Sequence, residues 1–351
     1  MILHIFNPEH DLALAANMSN FTPPLAGRAL RSELSFLPAL WASENDAILV
    51  DDVEAAYSEY LAFKKKAGIQ RHNPMFVTKK DLAQLSIDKI EPWGWDLTIR
   101  SMLLRCGVES CLVPTTDEIA VIRQLSHRKT AATVLDQISL SGTIGQSFCC
   151  LSVDEIMQKF TNHHRIVLKA PWSSTGRGVR VATCPMNDAL VGWATHVIQS
   201  QGSIMVEPYY PHVIDFAMEF YSDGKGNVEY LGLSLFDTIN GAYSGNILSS
   251  ESNKKATLIN YISEDLLNSV REKLMDITSS LFDDKYRGPF GIDMMIVEDS
   301  EENSQQMFLL HPCVEINLRR TMGHVALCLP VMEDKRLAIT GKPHSFHLCL
   351  K

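Results

Sequence analysis

The chain has no Cys-x-x-Cys pair, no apolar run long enough to cross a bilayer and no surplus of basic residues. Each absence excludes a class of function. Eight cysteines are scattered, at Cys106, Cys111, Cys149, Cys150, Cys184, Cys313, Cys328 and Cys349. Without paired spacing they signal neither a zinc site nor a redox dithiol. As plain thiols they fit a reducing compartment, and the cytoplasm is the expected location. Met1 to Phe6 is apolar but short and lacks a basic start, so it reads as a first strand and not as a signal peptide. No run approaches the length of a membrane helix, so no membrane partner is expected. The formal charge of -9, from 32 basic and 41 acidic residues, argues against a nucleic-acid carrier, because a wide phosphate-binding surface needs excess Lys and Arg. It leaves room for a local basic pocket. Gly-x-x-x-x-Gly-Lys-Ser/Thr, Gly-x-Gly-x-x-Gly, internal repeats and low-complexity tracts are also missing.

What is present is ordinary for a globular enzyme: 46% hydrophobic and 21% charged residues over 351 positions. That length predicts two or three packed units. Residues 1 to about 115 alternate strand and helix, an α/β pattern. The first strand runs into Asn7-Pro8-Glu9-His10-Asp11. Ala47 to Val50 ends in Asp51-Asp52, and Val108 to Val113 reads as a short strand. In residues 116 to 205, Thr116-Asp117-Glu118 caps a helix expected to continue through Arg128-Lys129. Arg165 to Ala170 and Val179 to Ala182 read as strands, and Asn187 to Gln201 as a helix. In residues 206 to 351, Phe216 to Tyr221 and Val228 to Leu235 form an antiparallel pair turned at Asp223 to Asn227. Ser263 to Leu281 is an amphipathic helix capped by Ser263.

Two late segments carry most information. Gly291 to Ile296 sets Asp293 at the start of a buried-strand pattern. In Cys313 to Arg319, Glu315 and Asn317 alternate with Val314, Ile316 and Leu318, so a strand points both to one face. The polar stretch Glu298 to Gln306 reads as the loop joining them. Paired strands would present two carboxylates and a carboxamide, oxygen donors suited to Mg2+ shared with substrate phosphates. Leaving such groups uncompensated in an apolar sheet would be costly.

A second constellation lies upstream. Between a strand ending in Lys169 and its returning partner is Pro171-Trp172-Ser173-Ser174-Thr175-Gly176-Arg177-Gly178. Small residues there let backbone N–H groups approach an anion, although most such stretches are only turns. Met205 to Tyr210 reads either as a plain strand exit or as a hinge lining an adenine. Asp215 reads either as a solvated surface acid or as a ribose partner.

In this order the features resemble the ATP-grasp superfamily, over roughly residues 116 to 330. The resemblance implies an α/β (α+β) chain: an ATP-grasp fold behind an N-terminal Rossmann-like domain of residues 1–115, a lid subdomain of 116–205 and a metal- and nucleotide-binding subdomain of 206–351. It implies that Lys129 and Lys169 meet the nucleotide, with Ser173 to Gly178 folding over its phosphates. Glu207, Pro208 and the backbone through Tyr209 would hold the adenine, and Asp215 the ribose. Asp293, Glu315 and Asn317 would hold two Mg2+ ions, replaceable by Mn2+. Arg319 and Lys169 would be catalytic, Arg319 steadying the transferring phosphoryl group. Pro208 departs from the pattern by removing a backbone donor, and Asp293 stands where many members carry Glu. The implied function is an ATP-dependent ligase that activates a small-molecule carboxylate as an acyl phosphate for attack by an amine or thiol, in a homodimer-prone fold. The alternatives are a phosphotransferase on the same fold and a nucleotide-binding regulatory module without turnover.

Substrate signals are thinner. Asn7, Glu9 and His10 form a dense polar cluster, of which helix capping, by Asp11, needs only one residue. Trp93 and Trp95 flank Gly94 and read as packing or a pocket wall. Asp237 to Asn246 is polar and glycine-bearing, either an exposed loop or an acceptor site using Asn240, Tyr243 and Asn246. Arg320 extends the site from Arg319 unless strand alternation turns it away. His311 has no assigned role beyond a buried or capping histidine.

Overall fold

Short strands of branched apolar residues build the first layer. Ile2–Ile5 (β1), Ala47–Leu49 (β2), Met75–Val77 (β3) and Lys89–Pro92 (β4) form a parallel sheet in the order β3-β2-β1-β4. The structure is a computed structural model that describes residues 1–161, 163–173, 178–239, 242–299, 307–342 and 345–351. β1 and β2 are buried on both faces, as a sheet covered by helices requires. The polar residues Asn7 and Asp52 follow strand ends, the edge of an open α/β sheet where ligands collect.

Phe148–Cys150 (β5), Arg165–Lys169 (β6), Val179–Thr183 (β7) and Ile204–Pro208 (β8) make a second, antiparallel sheet in the order β5-β8-β6-β7. The third sheet holds His212–Asp223 (β9), Val228–Ile239 (β10), Ala242–Ile247 (β11), Arg287–Glu298 (β12), Phe308–Asn317 (β13), Arg336–Lys342 (β14) and Ser345–Leu350 (β15), ordered β13-β12-β9-β10-β11-β14-β15. Period-two alternation sorts its side chains. Phe216, Met218 and Phe220 of β9 join Phe290, Ile292 and Met294 of β12 in one core. Leu267, Val270, Leu274 and Phe282 of helix Glu264–Phe282 complete it. Each fully buried side chain contributes roughly 1.5–3 kcal/mol. Asp215, Ala217, Glu219, Gly291 and Asp293 therefore fall on the opposite face, turned away from that helix.

Several expectations differ. Val108 to Val113 is a 3-10 turn at Ser110–Leu112, not a strand. The helix beginning at Thr116 stops at Leu125, is capped by Thr115, and a separate helix, Arg128–Gln137, follows. That second helix packs Ala131, Val134 and Leu135 into the core of the third sheet, although the expected boundary grouped it with the second. Asp237 to Asn246 is not a loop: its described part is the β10–β11 hairpin. Asp11 does not cap helix His10–Ala16, whose N-cap residue is Glu9 with no side-chain cap. Among the described residues no helix is long and apolar enough to cross a membrane.

Candidate functional site

Asp293 and Glu315 are direct cross-strand partners on β12 and β13, and Gly291 and Asn317 form the next pair. Paired residues share a face, so the two carboxylates and the carboxamide converge. Asn317 Nδ2 donates to Asp293 Oδ2 at 3.0 Å. Arg319 Nη2 donates to Asn317 Oδ1 at 2.9 Å, and its Nε and Nη2 donate to the Asp11 carboxylate at 3.1 and 2.8 Å. Asp11 is thus an anchor for Arg319. Burial raises the Asp11 carboxyl, but the Arg319 charge and hydrogen bonds outweigh it and hold the group below the ordinary range.

The electrostatics leave one imbalance. Burial, then the negative Glu315 and Glu219, push the Asp293 carboxyl up to about 8, against the single hydrogen bond from Asn317 and the Arg319 charge. Anionic Asp293 needs a compensating cation, and hard oxygen donors suit Mg2+. Among the described residues no three His, Cys, Asp or Glu side chains gather as a metal cluster. Two carboxylates and a carboxamide are oxygen donors of the kind Mg2+ takes when its remaining ligands come from water or a phosphate.

Glu219 lies one strand away, opposite Gly291 and buried. Its oxygens fill space that side chains at Gly291 and Gly323 would occupy: a Cβ there would sit 2.6 Å and 1.9 Å from them. His324 Nδ1 approaches Glu219 Oε2 at 2.9 Å. That nitrogen accepts the Thr321 N–H at 3.1 Å, and Glu219 Oε2 has no hydrogen-bond partner among the described residues.

The second sheet supplies the other wall. Lys169 at the end of β6 pairs with Glu207 of β8 at 2.5 Å, and both are buried. Ser147 Oγ also donates to Glu207, at 3.2 Å. Glu207 thus positions Lys169. Lys129, expected at the nucleotide, points to solvent. Its neighbour Arg128 takes the inward position, donating to Glu315 Oε1 at 2.7 Å and to Ser173 Oγ at 2.8 Å. The signal was present: Arg128 shares the helical face of Ala131, Ala132 and Leu135, all buried. Pro208 ends β8 in the sheet, opposite Ile166. The Tyr209 N–H is already donated to Arg165 O, at 3.1 Å, and the Arg165 guanidinium covers its ring at 3.7 Å. That N–H is not free to read a base. Asp215 accepts from Thr238 Oγ1 at 2.9 Å and meets His212 Nε2 at 2.9 Å on the Asp293 face. Gly178 is buried beside Ser173, while Ser174, Thr175, Gly176, Arg177 and Asn240 lie outside the described residues.

The expected substrate residues separate. Asn7 Nδ2 donates to Gly94 O at 2.8 Å, and His10 Nδ1 lies 3.3 Å from Asp96 Oδ2, so both tie β1 to the chain after β4. Glu9 pairs with Arg31 at 2.7 Å. Of this cluster, only Glu9 Oε2 and His10 Nε2 remain buried without a partner among the described residues. Tyr243 donates to Asn246 Oδ1 at 2.5 Å, and Asn246 donates to Ser234 Oγ at 2.7 Å. These two satisfy each other inside the sheet and are not an exposed acceptor loop. Trp93 packs edge-on against Phe6. Arg320 diverges from Arg319, stacking on Trp41.

His311 is fully buried on β13, with neither ring nitrogen hydrogen-bonded among the described residues. Burial pushes it down to about 4. The unfolded chain binds more protons than the native one between that value and 6.5, so this group's contribution to stability falls as pH drops through the window, by about 3 kcal/mol in total. His127, also pushed down to about 4, acts in the same sense, and Asp293 in the opposite sense up to about 8. Urea unfolding at pH 7 and pH 4.5 should show a smaller acid loss for His311→Phe than for the native chain. Equal losses would contradict the buried neutral state.

No family model matches the chain. A curated relative, the [butirosin acyl-carrier protein]–L-glutamate ligase of Niallia circulans, is 22% identical over 226 residues, covering 62% of this chain and 49% of the relative. The chain thus spans about half the length of that relative. Among solved structures, biotin carboxylase from Campylobacter jejuni superposes with a TM-score of 0.52 at 14% identity, covering 99% of this chain and 73% of that one. N5-carboxyaminoimidazole ribonucleotide synthetase from Thermus thermophilus gives 0.50 at 13%, covering 97% and 83%. Identities this low speak to fold alone. The chain has the ATP-grasp fold.

Proposed function

We propose that the protein is an ADP-forming ligase that activates a substrate carboxylate with ATP and passes the acyl group to an amine or thiol. The observation that carries this reading is the convergence of Asp293, Glu315 and Asn317 with Arg319 on one sheet face, opposite the Lys169–Glu207 pair. Asp293, Glu315 and Asn317 would hold Mg2+, which when bound neutralises charge on the β- and γ-phosphate oxygens. Lys169 gives one N–H to Glu207 and, among the described residues, has two more for phosphate oxygens. Arg319 spends Nε and Nη2 on Asp11 and Asn317 and one Nη1 N–H on Arg320 O, at 3.2 Å. Among the described residues one Nη1 N–H has no partner and is left for the reacting group.

The chemistry needs no nucleophile from the protein. A substrate carboxylate oxygen attacks the γ-phosphorus, the bond to the β,γ-bridging oxygen breaks, and ADP leaves. The amine or thiol then attacks the acyl phosphate, the carbon–oxygen bond breaks, and phosphate departs as the nucleophile loses a proton. Positioning and fixed positive charge do the work. The Niallia relative is named for joining L-glutamate to an acyl-carrier protein, which keeps a protein-borne acceptor beside the small-molecule amine.

Lys169→Met should weaken nucleotide affinity at least tenfold in a calorimetric titration with MgADP. It also leaves buried Glu207 without its partner, so Lys169→Met/Glu207→Gln serves as the control that keeps neutrality. Unaltered affinity in both variants would remove this lysine from the site.

A further inference from the structure

A cavity of about 770 Å³ lies between the end of β4, the turn at residues 110–115 and the start of β12. Its lining includes none of Asp293, Glu315, Asn317 or Arg319. The volume falls within the range of small-molecule sites, roughly 300–1,000 Å³. Trp93, Trp95, Tyr221 and Tyr286 supply aromatic wall; Arg320 and Glu91 stand beside the tryptophans, and further acidic and basic residues, among them Glu118 and Arg287, also line the cavity.

Arg320 is the informative group. Its side chain is only 14% exposed, yet its guanidinium makes no hydrogen bond among the described residues. It stacks over Trp41 at 4.3 Å and stands 4.0 Å from Glu91 Oε2. The stacking fixes the planar group in place but satisfies none of its five N–H donors. No Arg320 nitrogen is among the fully buried, unpartnered atoms, so water reaches the group, and a ligand carboxylate would take that water's place with charge-assisted hydrogen bonds. Glu91 is complementary: Oε1 accepts from Lys89 at 2.5 Å, while Oε2 accepts no hydrogen bond among the described residues and lies 3.7 Å from His4 Nδ1 and 4.0 Å from Arg320. A carboxylate and an ammonium group on one carbon would replace the loose 4.0 Å Arg320–Glu91 ion pair with two charge-assisted hydrogen bonds. The Arg320 backbone N–H donates to Trp93 O at 2.9 Å, so the cavity wall is tied to the residue that directly follows Arg319.

We infer that this cavity binds a free α-amino acid, or a peptide end bearing both charges on one carbon, with Arg320 taking the carboxylate and Glu91 the ammonium group. The aromatic walls take an apolar side chain. The role of that molecule as a substrate rests on the ligase reading; its binding does not.

The test is calorimetric titration of the full chain, without nucleotide, with L-phenylalanine, L-leucine and L-glutamate. At least one should bind with millimolar or tighter affinity. Its amide and its N-acetyl derivative, each lacking one charge, should bind at least tenfold more weakly. Arg320→Gln and Glu91→Gln should each weaken the amino acid at least tenfold while leaving MgADP affinity within twofold. Absence of binding by all three amino acids, equal binding of the amide, or native-like binding by folded Arg320→Gln would each overturn the inference. Should the variants fail to fold, the comparison of derivatives on the native chain still decides it. Amino-acid binding with the expected pattern in a chain that binds no MgADP would uphold this site and sink the ligase reading instead.

Discussion

Asp293→Asn combined with Glu315→Gln is expected to lower Mg2+-dependent ADP release by at least about a thousandfold, measured with pooled amino acids and small peptides as acceptors. Removing both carboxylates takes away the two anionic ligands that would hold a cation against the phosphates. Several kcal/mol of charge stabilisation are at stake, at about 1.4 kcal/mol for each factor of ten. Stability should respond quite differently. Asp293 is already pushed up to about 8 by burial and by Glu315 and Glu219, so above that pH, where the group is ionised, Asp293→Asn relieves repulsion and should raise the melting temperature. Glu315→Gln gives up a charged partner of buried Arg128, a loss of about 1–3 kcal/mol. The double variant should therefore melt close to the native protein. A cooperative, native-like melt together with undiminished ADP release would remove these residues from the metal role.

Arg319→Ala should show the second large effect, on both counts. On the ligase reading it would strip a fixed charge from the transferring phosphoryl group, where comparable arginines are worth about a thousandfold or more. It also leaves Asp11 without its ion pair. The two side chains are each 16% exposed and meet at 2.8 Å, so breaking the pair should cost about 3–5 kcal/mol, somewhat less in proportion to its residual exposure. Asp11→Asn with Arg319→Gln separates the two roles. It should recover most of the stability, measured by urea unfolding, and none of the turnover. Recovery of turnover would show that Arg319 acts only as a structural strut.

The pattern of the late strands made much of this legible. Asp293, Glu315 and Asn317 stand at even spacings among apolar residues, and a strand has only two faces. Lys169 could be placed because an apolar strand ends at it. The Arg128 and Lys129 pair was read the wrong way round, because two adjacent cations on a helix lie about 100° apart and only the phase of Ala131, Ala132 and Leu135 says which one turns inward. Asp11 looked like a cap because its partner, Arg319, is 308 positions away, and nothing local encodes such a contact. Tyr243 and Asn246 looked like an open loop because their polar groups satisfy each other across the β10–β11 hairpin, which composition cannot reveal. Glu219 carried a subtler signal: an acid placed out of phase with Phe216, Met218 and Phe220 belongs to the same face as Asp293.

The proposed enzyme reduces to a divalent ion seated between two neighbouring strands and the phosphate end of a nucleotide. A crystal structure with a non-hydrolysable ATP analogue and Mg2+ tests that seat directly. The account predicts magnesium within about 2.1 Å of carboxylate oxygens from both Asp293 and Glu315, the β- and γ-phosphates completing its shell, and Lys169 against the same phosphates. A nucleotide bound elsewhere, or phosphates and metal that leave both carboxylates without a ligand, would contradict it.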